Sequence, residues 1–372
     1  MEIPLGSWVE KEIVTKKRQW PSRLALLLAL LADLFTHGAP ALGPSPSQTS
    51  LDAAYAAQAQ VTAEWLSRPG VVGTAVGFGS SRQAVLKVYV TALGAAALPQ
   101  SVAGIPVSIE VTGPFVSFSD PPPGTPLLRT PEAESRDNAG RDGVDRKGSF
   151  PRPVPIGVST GHPDVTAGTI GARVTDGARI FALSNNHVYA ANNGARVGDN
   201  LLQPGVADGG RNPEDLLATL YDFEPIQFCG GLACPMNRMD AALALTTAED
   251  LGTGTPEDGY GSPRRETMEA TLGMRVQKYG RTTGHTLGRI TGINAIIDVN
   301  YRTGTARFEG QIMISGEGFS TGGDSGSLIV TKGLLAADRR PVGLLFAGSA
   351  NNTIANPIDL VLDRFGVRVD GG

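Results

Sequence analysis

Cysteine is nearly absent: Cys229 and Cys234 are the only two in 372 residues, and Gly-Gly-Leu-Ala separates them. A small disulfide loop is sterically conceivable and free thiols remain open as the other reading. With no neighbouring histidine the pair makes a poor zinc site, because the usual four ligands are missing. Aromatic residues amount to only 6%, so β-branched and small aliphatic side chains must supply most of any core. Excess charge is lacking as well, with a net value of −4. The one basic cluster (Lys11, Lys16, Lys17, Arg18, Arg23) is local, so no nucleic-acid partner is expected.

Long apolar runs are missing too. The stretch from Leu24 to Phe35 is interrupted by Asp33 and is too short for a comfortable membrane span. Its basic flank and the following Gly38-Ala39-Pro40-Ala41 fit a secretory signal. The long leading segment with Glu2, Glu10 and Glu12 fits an N-terminal helix or extended start equally well. A secreted or periplasmic location follows if residues 1–42 include a signal, and a cytoplasmic one otherwise. No cofactor motif is present: the glycines in 73–79 lack a complete dinucleotide fingerprint and its helix.

What is abundant is glycine (48) and proline (26), beside 41% hydrophobic and 18% charged residues. Such a balance suits a globular protein rich in short strands and loops. Residues 1–49 read as a leader or N-terminal extension. Leu51 to about Ser67 predicts a helix ended by Arg68-Pro69-Gly70. Strands are expected over 71–78, 84–91 and 105–111, so residues 50–118 read as a small α+β domain, for which a regulatory role is expected. Pro121-Pro122-Pro123-Gly124 opens a polar segment, 119–152, that reads as an exposed linker. From about Pro153 the chain becomes a series of short β-type runs bounded by glycine turns, among them 168–174, 288–293 and 295–299. A mainly β barrel or sandwich of about 220 residues is therefore expected, with a short C-terminal helix over 357–365.

The distinctive run is Gly322-Gly323-Asp324-Ser325-Gly326-Ser327. His187 follows a β-type run in Leu183-Ser184-Asn185-Asn186-His187-Val188, and Asp240 precedes an apolar strand in Met239-Asp240-Ala241-Ala242. A serine nucleophile needs a base within hydrogen-bond reach and a third group that fixes the imidazole tautomer. Taken singly, the three have plain readings: a tight turn, a structural histidine, a turn-capping aspartate. Their order along the chain and their placement at strand ends favour chemistry instead.

On these residues the chain from about 153 to 372 resembles the chymotrypsin/trypsin-like serine peptidase family, and within it the divergent bacterial branch. Asn185-Asn186-His187-Val188 stands where that family carries the loop of its base. The resemblance implies a double β-barrel and a serine endopeptidase that works through an acyl-enzyme, without cofactor or metal. It implies catalytic roles for His187, Asp240 and Ser325, and an oxyanion hole from the amides of Gly323 and Ser325. Val342 to Ser349 resembles the strand that pairs with substrate, which puts Phe346, Ala347 and Gly348 beside the peptide. Phe319 falls at the pocket floor, where no acidic residue is available to pair a Lys or Arg. A small or apolar residue before the scissile bond is therefore expected. His285 is either a cleft residue or a solvent-facing one, and Asn185 and Asn186 are expected to organise the loop through local bonds. Two departures stand out. The family's cysteine framework is absent, and Pro155-Ile156-Gly157-Val158 is the only run that could imitate a freed N-terminus seeking Asp324. The competing function is a peptide-binding or assembly protein with little turnover on the same scaffold. A homo-oligomer is compatible with either.

Overall fold

The computed structural model describes residues 47–117, 143–231 and 233–372, so all but the last three residues of the expected leader (1–49) and most of the expected linker lie outside the described residues. Helix α1 (Gln48–Trp65) is capped by Ser47, whose hydroxyl accepts from the Ser50 amide. Its small residues Ala54 and Ala57 are fully buried, and Trp65 sits under strands β1 (Val71–Phe78) and β2 (Ala84–Val90). The short strands β3 (Ser101–Val102), β4 (Ile105–Val111) and β5 (Phe115–Ser117) complete this segment.

Beyond residue 143 the chain forms β6 (Ser159–Thr160), β7 (Gly168–Thr169), β8 (Ala172–Thr175) and β9 (Ile180–Ser184). The one-turn helix α2 (Asn186–Tyr189) follows directly. Next come β10 (Asn200–Leu202), β11 (Leu216–Phe223), β12 (Met236–Asn237) and β13 (Ala242–Thr246). The remaining strands are β14 (Arg275–Gly280), β15 (Gly284–Tyr301), β16 (Gly304–Ser315), β17 (Leu328–Thr331), β18 (Pro341–Gly348) and β19 (Asn352–Pro357). Helix α3 (Ile358–Phe365) and β20 (Arg368–Val369) close the chain, and Gly366 ends the helix in a left-handed conformation at φ 63°.

The architecture is mainly β with a small helical component. Six strands pair in the order β10-β11-β13-β9-β8-β20, and this sheet is open at both ends. A twelve-stranded sheet contains β16-β19-β18-β17-β14-β15, with β15 returning to pair β16. The two sheets meet at an apolar seam. There Val174, Phe181 and Leu183 of the first pack with Leu328, Val330 and Leu344 of the second and with Ile358 and Val361 of α3.

Two of the expected strands, 288–293 and 295–299, are one. Strand β15 runs unbroken for 18 residues. Gly292 and Asn294 interrupt the apolar pattern, but Asn294 takes φ 51° and the register against β16 shifts around it. An irregular residue accommodated in a bulge bends a strand without ending it. One edge of β15 pairs with β16 from Arg289 to Tyr301. Its other edge is shared in succession by β14, by β1 (Gly73 opposite Ile297) and, in parallel, by β5. Residues 71–117 are thereby hydrogen-bonded into the sheet that carries the C-terminal half. Gln58 of α1 adds a tie: its amide donates to the Asn294 carbonyl at 2.9 Å and accepts from the Asn294 side chain at 3.0 Å.

Cys229 and Cys234 are joined as a disulfide across the bridge between Gly230 and Ala233.

Because Trp65 is only 2% exposed and anchors α1 on β1 and β2, Trp65→Ala is expected to cost about 3–5 kcal/mol. A denaturant titration that gave an unchanged midpoint for the variant would refute this packing.

Candidate active site

Two of the expected site residues, His187 and Asp240, meet where β9 and β13 pair. Strand β9 ends at Ser184, and the chain turns through Asn185 into α2, which places His187 at 0% exposure. Asp240 lies two residues before β13, which pairs with β9 (Ala242 opposite Ser184). That register brings the two side chains together. His187 Nδ1 lies 2.5 Å from Asp240 Oδ2, and the His187 amide donates to Oδ1 at 3.2 Å.

Asp240 is itself fully buried, a placement that demands partners for every oxygen. The Tyr301 hydroxyl donates to Oδ2 at 2.9 Å. The Asp240 carbonyl accepts from Asn185 Nδ2 at 2.8 Å and Asn356 Nδ2 at 3.0 Å, while its amide donates to Asn356 Oδ1 at 3.1 Å. Asn185 and Asn186 thus act over long range: Asn186 Nδ2 reaches the Glu224 carbonyl at 2.7 Å. They tie loops together and do not organise the His187 turn by local bonds alone.

Ser325 is held by a separate set of contacts in the turn before β17. Its carbonyl accepts from the Thr169 amide at 2.8 Å, and its hydroxyl donates to the Phe346 carbonyl at 3.2 Å. His187 Nε2 is buried without a hydrogen-bond partner. The structure therefore joins His187 to Asp240 and sets the Ser325 hydroxyl against β18. Gly323, at φ 93°, lies so close to Arg281 and Thr282 that a Cβ there would meet Thr282 Oγ1 at 2.5 Å. Only glycine suits both constraints. The turn's Asp324 and Ser327 amides bond to Thr321 and Asp324 carbonyls, and the amides of Gly323 and Ser325 take no part in that pattern.

Asp324 is satisfied from inside the sheet. Its carboxylate accepts from the Thr282, Thr283 and Thr321 amides and from the Thr283 hydroxyl. Lys278 Nζ on β14 lies 3.5 Å away, and both side chains are at 0% exposure. Burial lowers the Lys278 pKa, an effect the Asp324 charge offsets in part. The carboxylate that a freed N-terminus would seek already has a cation. Ile156 is fully buried in an apolar cluster, its amide bonded to the Gly254 carbonyl.

The residues expected to contact substrate are covered. Phe346 is buried against Phe308 at 4.8 Å between ring centroids. Ala347 and Gly348 pair antiparallel with Ser117 and Val116 of β5, so this chain already supplies the neighbouring strand. Phe115, 0% exposed, anchors β5 edge-to-face on Tyr89 at 5.7 Å. Phe319 lies in the apolar cluster of Val276, Ile290, Ile314 and Leu345, its carbonyl accepting from Thr286 Oγ1. His285 is exposed on β15 and bonds to Gln277. A cleft of about 520 Å³, lined by Asp164, Val165, Asn192, Val206 and Arg302, has His187 at its floor.

Sequence reasoning missed Lys278, Tyr301 and β5. A lysine inside Val276-Gln277-Lys278-Tyr279 was the one signal available for the first. The other two depend on partners far away in the chain.

Residues 252–356 match the family described as the Nal1 C-terminal domain. The chain is similar to Protein NARROW LEAF 1 of Oryza sativa subsp. japonica, 33% identical over 87 residues. That match spans 23% of this chain and 14% of the rice protein. Among solved structures it is similar to Thermobifida fusca Protease A (19% identity, 59% of this chain and 99% of that one, TM-score 0.42). It is similar also to a glutamic acid specific serine protease (21% identity, 58% of this chain and 100% of that one, TM-score 0.41).

Proposed function

We propose that the protein is a serine endopeptidase with Ser325 as nucleophile, His187 as general base and Asp240 as orienting acid. The observation that carries this reading is the fully buried 2.5 Å contact between His187 Nδ1 and Asp240 Oδ2. A carboxylate there holds the proton on Nδ1 and leaves Nε2 as the basic nitrogen. Nε2 is the atom without a partner. On this reading the Ser325 hydroxyl leaves the Phe346 carbonyl and becomes the partner of Nε2 when substrate binds, since catalytic hydrogen bonds are often loose in its absence.

Ser325 Oγ then attacks a peptide carbonyl while Nε2 takes its proton. The oxygen of the tetrahedral intermediate is received by the Gly323 and Ser325 amides, which the turn leaves uncommitted. The imidazolium returns the proton to the departing amine, an acyl-enzyme remains on Ser325, and water releases it by the reverse sequence. The pairing cycle of β14, β15, β16, β19, β18 and β17 supports reading this half as one barrel of a double-barrel scaffold, with the six-stranded sheet as the other. A small or apolar residue before the scissile bond suits the apolar surroundings of Phe319.

Residues 47–117 fit a regulatory role. Strand β5 lies along β18 at Ala347 and Gly348, where a substrate strand would pair. A second reading, a peptide-binding or assembly scaffold with little turnover, is favoured by the bond from Ser325 to the Phe346 carbonyl and by the 0% exposure of Ser325.

Fluorophosphonate labelling separates the two. Wild type is expected to be labelled at Ser325. Ser325→Ala should lose labelling and about 10⁶-fold in peptide hydrolysis while melting at the same temperature. A wild type that binds peptides but is never labelled would establish the second reading instead. Val116→Pro, which disrupts strand pairing by β5, is expected to speed labelling several-fold; an unchanged rate in the folded variant argues against a covering role.

A further inference from the structure

We infer that Tyr301 is a positioning residue that fixes the orientation of the His187 imidazole through Asp240. The assignment rests on reading His187 and Asp240 as base and orienting acid.

Tyr301 ends β15, at 6% exposure, with its ring edge-on to three neighbours or tilted against them. The ring centroids of His187 and Phe228 lie 5.9 Å and 5.7 Å away, and that of Phe308 6.1 Å. Packing on three sides leaves the hydroxyl one direction, and it points to Asp240 Oδ2 at 2.9 Å. Oδ2 is the oxygen that also faces His187 Nδ1. One carboxylate oxygen therefore receives two donors, while Oδ1 takes the His187 amide. Burial first, and then the Asp240 charge, raise the Tyr301 pKa well above its ordinary value. The hydroxyl keeps its proton and can act only as a donor toward the carboxylate.

Two consequences follow for the base. Three donors fix the plane of the carboxylate, so the imidazole is held in one orientation. The Tyr301 bond also shares Oδ2 between two donors, so the carboxylate meets the Nδ1 proton from one direction only. An imidazole tied at Nδ1 in this way has Nε2 left as the nitrogen that can accept the serine proton. The other charged groups that face His187 are Asp164, from the loop after β6, and Arg302, next to Tyr301, which line the same cleft. Their charges are opposite, which leaves Asp240 as the dominant partner.

The test follows the Nδ1 proton resonance of His187 by NMR in the full chain, beside the rate of fluorophosphonate labelling. Tyr301→Phe keeps the ring and removes the donor. It is expected to shift the His187 Nδ1 proton resonance and to slow labelling about tenfold. A more acidic fluorinated tyrosine at position 301, which keeps the hydroxyl and donates more strongly, is expected to move that resonance the other way and serves if the phenylalanine variant does not fold. An Nδ1 resonance identical to wild type in either variant overturns the assignment, even if Ser325 is labelled normally. A shifted resonance in a protein whose Ser325 is never labelled upholds Tyr301 and instead removes the peptidase reading.

Discussion

Everything at the seam depends on the burial of one carboxylate. Asp240 has no exposed surface, and an ionised carboxylate taken out of water is tolerated only when donors replace the solvent. Its donors come from α2 and from the end of β15: His187 and Tyr301. Asn185, just after β9, and Asn356 of β19 donate instead to the Asp240 backbone carbonyl and hold its main chain in place. Satisfying Asp240 therefore obliges both sheets to arrive in register. The same obligation leaves His187 with a single uncommitted nitrogen, Nε2.

A second buried charge does similar work on the serine side. Asp324 sits within the turn that carries Ser325, and its oxygens gather amides from 282, 283 and 321 together with the Lys278 ammonium. Removing either member of such a pair strands the other in a low-dielectric interior. The left-handed Gly323 and Gly326, at φ 93° and 94°, shape the turn between. The geometry of Ser325 is thus built by the folded chain itself, with a lysine from β14 supplying the cation.

Local signals were legible in the sequence, and partners across the fold were not. The histidine loop, the Met-Asp-Ala-Ala run and the Gly-Asp-Ser-Gly turn are each legible because each is a motif of consecutive residues. Helix α1 and β1, β2 and β4 were readable from apolar periodicity and glycine punctuation. The 18-residue β15 read as two strands, because period-2 patterning cannot distinguish a bulge from a turn. Tyr301 looked like one more strand aromatic, and Lys278 like one more strand lysine; only long-range packing gives either its partner. Phe319 was expected beside substrate and is found among aliphatic side chains. An aromatic ring is equally suited to a pocket wall and to a core, so composition alone could not separate the two. Closure of two barrels is likewise a matter of which edges meet, and the six-stranded sheet ends openly at β10 and β20.

On the proposed peptidase reading, the exchange of β5 for a peptide would be a contest between equals in backbone hydrogen bonds. A strand that leaves β18 surrenders the bonds that an incoming strand makes, so the net contribution of hydrogen bonding is close to nil. The difference lies in side chains and tethering. A fully buried phenylalanine contributes about 1.5–3 kcal/mol, and Phe115 is seated at 0% exposure between Tyr89 and the cluster that holds Phe346. A covalently attached segment also competes at an effective concentration on the order of millimolar, well above that of a dilute substrate. On this accounting the tethered strand wins against an average peptide. Productive binding then requires either a partner that loosens Phe115 or a substrate whose side chains gain more at the seam than Phe115 loses.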